Sequence, residues 1–467
     1  MAETKKFDIA VIGSGPGGYT AAIRAAQLGK SVALIEKNLL GGTCLNVGCI
    51  PSKTLLSSAA VLHQVKKAAA FGISTGPVAF EYKKMKERKD QVVSRIRSGL
   101  EGLIKQNKIT IIPGTASFEN PTKLKIVGDA PCFIQADKII IATGSIPFDV
   151  PSFRCDHQRI LNSTSILELT AVPKSLAIIG GGYIGCEFAS LFAELGCHVT
   201  ILEALPSILS LQGKTVSQFM TKALTSRGIT IQTGVKVEKV TSHSADVEIF
   251  LENQPSMKAE LCLVAVGRSI DTQELKLEKA GLKTGAKGVL GVNEKMETEV
   301  SGIYAVGDIT GKWMLAHVAA HQAMVAAGNA AGKEAAIHYE AVPAVIFTSP
   351  EVATVGLTLE EALQKGHKAT ANMLPFQALG KAQASLDTEG FVQIIADTQT
   401  GEVLGALVIG HEASNLISEM ALAIQNELTI ESIIETIHPH PTMGEAWLEA
   451  ALIAADQPIN FPPKVKR

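Results

Sequence analysis

Cys44 and Cys49 stand with four residues between them in GGTCLNVGCIPSK, from Gly41 to Lys53. A close cysteine pair can exchange electrons as a disulfide, hold a metal, or sit inert in a core. Structural zinc wants four ligands, and no second close Cys or His pair lies at a suitable spacing. A regular helix is the wrong carrier for a bridge, because this spacing sets the Cα atoms about 8–9 Å apart, beyond the disulfide limit of about 7 Å. If the pair bridges, the backbone between the cysteines must be distorted. Gly48 and Pro51 predict an irregular turn leading into a helix that starts near Ser52. Lys53 and that helix N-terminus are both features that lower a thiol pKa.

The elements that must position this pair repeat along the chain. IAVIGSGPGGYTAAIRAAQLGKSVALIEK, from Ile9, matches LAIIGGGYIGCEFASLFAELGCHVTILEA, from Leu176. Gly13, Gly15, Gly18, Ala22, Gly29 and Glu36 correspond to Gly180, Gly182, Gly185, Ala189, Gly196 and Glu203, every pair 167 residues apart. Each copy reads as strand, glycine turn, amphipathic helix and a second strand ending in Glu. The first glycine makes a tight turn, the second lets backbone approach a pyrophosphate, and the third lets helix pack on strand. The phosphates then lie at a helix N-terminus, and the acid accepts from a ribose 2′-hydroxyl. One such fingerprint is weak, since glycine turns recur for structural reasons; two full-length copies are strong.

The copies also end alike, in KIIIATGS and LCLVAVGRS. From fingerprint glycine to closing glycine the first copy spans 131 residues (144 − 13) and the second 87 (267 − 180), so the first carries 44 more. Aligning Gly114 with Gly234 places the insertion before Gly114. It holds the CxxxxC segment and a long polar helix pattern near Lys83 to Asn107. The chemistry is added to one dinucleotide fold and missing from the other.

Composition agrees. Hydrophobic residues at 46%, aromatics at 5% and 41 glycines in 467 residues favour strands and helices joined by glycine turns over an aromatic-rich sandwich. A net charge of −2 offers no basic surplus for nucleic acid. No apolar run reaches the ~18 residues of a bilayer span, and Asp8 interrupts the stretch where a signal peptide would be apolar. We expect a soluble, unexported, cytoplasmic protein with no membrane partner. The remaining cysteines, Cys132, Cys155, Cys186, Cys197 and Cys262, are scattered, unlike a secreted disulfide framework, and read as core thiols.

The GGTCLNVGCIPSK segment resembles the redox-active segment of the class I pyridine nucleotide-disulfide oxidoreductases. Leu45, Ile50 and Ser52 resemble the members that oxidise dihydrolipoamide. The resemblance covers essentially the whole chain, including TEVSGIYAVGD ending at Asp308, Met314 to His317, VPAVIFTSPEVATVGLT, and HPHPTMGE from His438 to Glu445. It implies an α/β fold with two Rossmann-like dinucleotide-binding domains and an α+β C-terminal dimerisation domain. The boundaries expected are 1–147 for the FAD-binding domain with its redox-active disulfide and 148–272 for the NAD-binding domain. Residues 273–342 would complete the FAD domain, and 343–467 would form the interface domain.

Several roles follow from the resemblance. The first copy would bind FAD through Gly13, Gly15, Gly18, Glu36, Gly114, Thr143, Gly144, Ser145, Asp308, Met314, Leu315, Ala316 and His317, with Lys53 beside the flavin and paired with Glu187. The second would bind NAD through Gly180, Gly182, Gly185, Glu203, Val237 and Gly267. Cys44 would be the interchange thiol and Cys49 the thiolate facing the flavin. His440, held by Glu445 and supplied by the other subunit of a homodimer, would be the acid/base, a task for which a titratable imidazole is suited. On the residues alone, Thr442 and Glu445 also fit a T-x-x-E capping box, His438 reads as a solvated loop residue, and His317 and His321 could be plain core.

The resemblance implies that electrons pass from dihydrolipoamide through the Cys44–Cys49 disulfide and FAD to NAD+. The substrate would be carried by lipoyl-bearing subunits of 2-oxo acid dehydrogenase or glycine cleavage complexes, since the fingerprint at Gly13 leaves no room for a lipoyl domain before it. Glu203 disfavours the 2′-phosphate of NADP and with it a glutathione reductase. The end NFPPKVKR lacks the cysteine pair of a mercuric reductase, and a scaffold role alone would not need CxxxxC, both glutamates and His440. GRSIDT in place of the commoner GRRPNT, and Gly444 where Ser is usual, depart from the family pattern away from the electron path.

Overall fold

The computed structural model describes residues 3–463. The chain divides into two compact units. One runs to Pro173 and continues in Lys239–Glu248 and Glu260–His338; the other comprises Lys174–Glu238, Ile249–Ala259 and the chain from Tyr339.

In the first unit, β1 (Thr4–Ile12), α1 (Pro16–Gln27) and β2 (Val32–Glu36) form the predicted βαβ motif. β1 lies parallel between β2 and the strand Cys132–Ile141, while β2 is flanked by Thr110–Pro113. The far side of Cys132–Ile141 is shared: its first half pairs antiparallel with Lys123–Val127 and its last three residues parallel with Ile303–Ala305. Burial explains the sequence of β1, whose inner residues Ile9 to Ile12 are all at most 4% exposed, so a continuous apolar run is required rather than an alternating one.

The insertion forms three helices, α2 (Gly42–Val47), α3 (Cys49–Lys67) and α4 (Tyr82–Gln106). Along α4 the buried positions Tyr82, Lys89, Val93, Leu100 and Ile104 recur at helical period and make one stripe, and α4 packs against α3. The stretch Gly42–Phe71 is long and apolar enough by composition to cross a bilayer, which corrects the expectation that no stretch is. Here Gly48 breaks it, and its buried side chains, among them Leu55, Ala59 and Leu62, serve the core of this unit.

In the second unit, Ser175–Ile179, His198–Glu203 and Thr230–Thr233 form parallel pairs with the helix Tyr183–Glu194 after the first strand, repeating the βαβ motif. The two registers match: Glu36 pairs with Pro113 just before Gly114, and Glu203 with Thr233 just before Gly234. The glycine alignment that located the insertion is therefore structural. Residues from Ala344 onward form an antiparallel sheet covered by the helices Ala413–Gln425 and Glu445–Ala454, with Trp447 fully buried in its core, the α+β arrangement expected.

Candidate active site

The fingerprint glycines are explained by what a side chain would strike. A Cβ on Gly18 would stand 1.8 Å from the carbonyl oxygen of Gly13, and one on Gly185 would stand 2.0 Å from that of Gly180. The middle glycines are different. Nothing lies within 4 Å of a Cβ built on Gly182, and only the Cα of Gly42 reaches that distance at Gly15. Each caps its helix without a side-chain hydrogen bond, and no acid lies in the first turn. Open space before a helix N-terminus that no capping side chain covers suits a pyrophosphate, so both cradles fit a dinucleotide.

The acids that close the motif are held alike. Glu36 Oε2 accepts from the Ser14 N–H at 2.9 Å and the Ser14 hydroxyl at 2.6 Å, and its Oε1 accepts from the Asn38 N–H at 2.8 Å. Glu203 accepts from the Gly181 N–H at 2.6 Å and the Leu205 N–H at 2.7 Å. Ser14 and Gly181, like Asn38 and Leu205, are equivalent positions of the repeat, so the duplication extends to individual hydrogen bonds.

In the first unit the remaining flavin candidates collect at the C-terminal strand ends, where ligands of open α/β sheets bind. The Ala142 N–H donates to Ile12 O at 2.8 Å and the Val306 N–H to Ile141 O at 2.9 Å, which brings Gly13, Thr143 to Ser145 and Asp308 together. Ser145 Oγ donates to Asp308. Gly114 N–H donates to Glu36 O at 2.9 Å. Leu315 caps the helix Ala316–Ala330 without a side-chain bond, following Met314. His317 and His321 are exposed, so neither is a core residue.

In the second unit Glu187 is 6% exposed, and its Oε1 accepts from the Phe347 N–H at 2.9 Å. Val237 opens the strand Val237–Ser242. Gly267 belongs to the first unit, at φ +127° immediately before Arg268.

The cysteines occupy two helices. Cys44 lies in α2, and Cys49 is the first residue of α3, three residues earlier than the predicted start. Pro51 is then the third helical residue, where its missing N–H costs no intrahelical bond. The pair is brought together, with Cys44 hydrogen-bonded to Cys49. That bond, then burial, then the charge on Cys49 hold the Cys44 thiol well above its ordinary pKa, while Lys53 pulls the other way. Lys53 therefore acts in the expected direction but is outweighed. Cys49, at the positive end of a 19-residue helix, has the better seat for negative charge.

The double glycine seats the cysteine segment on the dinucleotide cradle of the first unit. A Cβ on Gly42 would stand 2.6 Å from Gly15 Cα, and the Gly41 N–H donates to Ser14 O at 3.1 Å. Asn46 closes the loop from within, donating to Leu40 O at 2.9 Å and Gly42 O at 3.0 Å.

His440 and Glu445 are joined at 2.8 Å between Nδ1 and Oε1. Glu445 Oε2 accepts from the Thr442 N–H at 2.9 Å. The capping box is not formed: Gly444 is the N-cap, Glu445 is the first helical residue, and the Thr442 hydroxyl donates to Pro439 O at 2.8 Å. Burial pushes the Glu445 carboxyl up, but the His440 and Thr442 hydrogen bonds and the histidine charges outweigh it and hold the group below its usual range. The His440 side chain is 76% exposed, and its Nε2 makes no hydrogen bond among the described residues. His438 is not a solvated residue. Its side chain is 4% exposed, with Nε2 3.0 Å from Glu419 Oε1 and Nδ1 2.9 Å from Thr436 O.

The structure adds residues that sequence reasoning missed. Tyr19, next to the third fingerprint glycine, has its hydroxyl pKa raised first by burial and then by the charges of Cys44 and Cys49. It lines a cleft of about 430 Å³ with Ile23, Arg24, Met324 and Val325. Gln322, fully buried, accepts from the Gly307 N–H at 2.6 Å and so fixes the turn that carries Asp308. Arg268 joins Ser145 and Asp308. No local signal marked Tyr19 or Gln322; Arg268 was visible only as part of GRSIDT.

Known proteins match this arrangement. The profile of the pyridine nucleotide-disulphide oxidoreductases matches residues 7–323, and that of their dimerisation domain matches residues 342–451. A dihydrolipoyl dehydrogenase of Chlamydia pneumoniae is 49% identical over 461 residues, covering 99% of this chain and 100% of its own. A dihydrolipoyl dehydrogenase of Geobacillus stearothermophilus is 42% identical, covering 97% of each. Among solved structures, LpdA from Mycobacterium tuberculosis superposes with a TM-score of 0.90 at 28% identity, covering 96% of this chain and 99% of its own. The HOCl-induced flavoprotein disulfide reductase RclA of Escherichia coli gives 0.85 at 29% identity, covering 94% and 98%. With two dinucleotide cradles, a cysteine pair seated against one of them, and profiles and relatives that span nearly its whole length, the chain belongs to the pyridine nucleotide-disulphide oxidoreductase family.

Proposed function

We propose that the chain oxidises protein-bound dihydrolipoamide to lipoamide and reduces NAD+ to NADH, working as a homodimer with lipoyl-bearing subunits of 2-oxo acid dehydrogenase or glycine cleavage complexes. The observation that carries this reading is the seating of the cysteine segment on the flavin cradle at Gly42 and Gly15, in a chain 40–49% identical to dihydrolipoyl dehydrogenases. In the oxidised enzyme a substrate thiolate attacks Cys44 Sγ, forming a mixed disulfide and releasing Cys49 as thiolate. The second substrate thiol then closes the lipoamide ring and expels Cys44. His440 takes the proton of the attacking thiol and returns it to Cys44, and Glu445 holds the imidazole through Nδ1, which leaves Nε2 for this proton transfer. FAD held by Gly13, Gly15, Gly18 and Glu36 would supply a two-electron carrier between the Cys44–Cys49 dithiol and NAD+ held by Gly180, Gly182, Gly185 and Glu203. The test is reduction of lipoamide beside oxidised glutathione by the purified protein with NADH. Turnover of lipoamide alone is expected; equal or faster turnover of glutathione sinks the substrate assignment.

Cofactor choice is expected to follow Glu203. Both its oxygens are fixed by backbone N–H groups, so a 2′-phosphate would meet a carboxylate that cannot swing aside. Glu203→Ala combined with Leu205→Arg, at a position 51% exposed, is expected to narrow the NADH over NADPH preference in kcat/KM by about tenfold or more. Equal kcat/KM for the two nucleotides in the unmutated enzyme would remove the argument.

A further inference from the structure

The two halves of the duplicated fold end on a glycine, Gly144 in one and Gly267 in the other, and the next residues are Ser145 and Arg268. The structure brings these equivalent positions together. Ile146–Pro147 and Arg268–Ser269 pair antiparallel, Pro147 opposite Arg268 and Ile146 opposite Ser269, and the Phe148 N–H donates to Gly267 O at 3.1 Å. Across this short ribbon the guanidinium grips Ser145 twice: Nε donates to Oγ at 2.7 Å, and Nη2 to the carbonyl oxygen at 2.7 Å.

Ser145 Oγ has one proton. One of its lone pairs accepts from Arg268, and because a carboxylate can only accept, the proton is donated to Asp308 Oδ2. Arg268 Nε is itself 3.9 Å from the same oxygen. The group is largely enclosed, with Ser145 6% exposed and the side chains of Arg268 and Asp308 10% and 22% exposed. Asp308 Oδ1 makes no hydrogen bond among the described residues, so the carboxylate is oriented by one oxygen and open at the other.

We propose that Arg268 is a positioning residue for the flavin site: through Ser145 it fixes the carboxylate of Asp308 and offsets its charge, so that the open oxygen can receive FAD. The inference rests on the assignment of FAD to the first unit. Arg268 comes from the copy whose fingerprint fits NAD, yet its guanidinium serves the other copy. A fork on one serine also requires a planar guanidinium, because an ammonium cannot make two parallel bonds in that geometry. Without the cation, Asp308 becomes a partly enclosed, uncompensated anion facing a dinucleotide that is itself an anion.

The test is binding of FAD to apoprotein, read by flavin fluorescence, with circular dichroism to confirm folding. Arg268→Met is expected to weaken FAD by on the order of tenfold to a hundredfold, the size of a lost charge-assisted hydrogen-bond pair. Arg268→Lys, which restores charge but not the fork, is expected to lie between Met and wild type. Ser145→Ala combined with Arg268→Met is expected to be no weaker than the sum of a shared pathway allows, that is, close to the weaker single variant. The flavin midpoint potential is expected to shift negative in Arg268→Met, which a purely structural lesion would not require. Wild-type affinity in folded Arg268→Met overturns the proposal, and should that variant not fold, wild-type affinity in Arg268→Lys does so. If wild-type apoprotein itself takes up no FAD, it is the cofactor assignment that fails.

Discussion

Cys44→Ser is expected to abolish lipoamide reduction, by on the order of 10⁴-fold or more, while the enzyme as isolated keeps a long-wavelength absorbance from Cys49 thiolate against flavin. The expectation follows from the asymmetry of the pair. The hydrogen bond to Cys49 and burial hold the Cys44 thiol pKa up, whereas Cys49 begins α3, where the helix end favours negative charge. Serine at 44 keeps the hydrogen bond and the shape but cannot exchange a disulfide, so the substrate half of the reaction stops. Transfer from NADH to a small dye does not pass through Cys44 and is expected to continue. Cys49→Ser is expected to lose both the band and disulfide reduction. If Cys49→Ser keeps the band and Cys44→Ser loses it, the two roles are inverted.

His440→Ala is expected to slow dihydrolipoamide oxidation by about 10²- to 10⁴-fold, the usual contribution of a positioned acid/base, with dye reduction little changed. In a single chain the imidazole is 76% exposed although Glu445 holds it in one orientation, a pattern that suits a group awaiting the surface of a second copy. A two-fold interface exchanges the same patches in both directions. Mixing Cys44→Ser chains with His440→Ala chains, each inactive alone, therefore puts both lesions in one site of a heterodimer and leaves the other whole. With random reassortment of equal amounts, about half the dimers are mixed, and activity is expected to return to roughly a quarter of wild type. Were His440 to serve its own chain, every site would lack one group. Reassortment confirmed by mass with no return of activity would rule out the shared site.

What the sequence by itself determined is whatever acts over a few residues. Gly18 and Gly185 must be glycine because each turn brings its own carbonyl within 2.0 Å of a Cβ, and Glu36 and Glu203 are reached within one βαβ unit. The insertion was legible for the same reason, since two copies of one local pattern define a register against which extra residues stand out. The cysteine pair could be found but not fully described. That Gly48 ends α2 and lets α3 begin at Cys49 depends on Gly42 lying against Gly15 and on Asn46 closing the loop, contacts that no spacing rule contains.

The tertiary structure alone decided the long-range partners. Arg268 and Ser145 are 123 residues apart, and Ser145 and Asp308 are 163 apart; they meet because separate strands of the first unit end at one place. A Pro-rich loop usually is solvated, but the His438 side chain is buried and meets Glu419 on the helix Ala413–Gln425. The raised pKa of the Cys44 thiol was likewise undecidable from a nearby lysine, because the hydrogen bond to Cys49, burial and the charge of that cysteine outweigh the lysine, and all three are set by packing rather than by spacing along the chain.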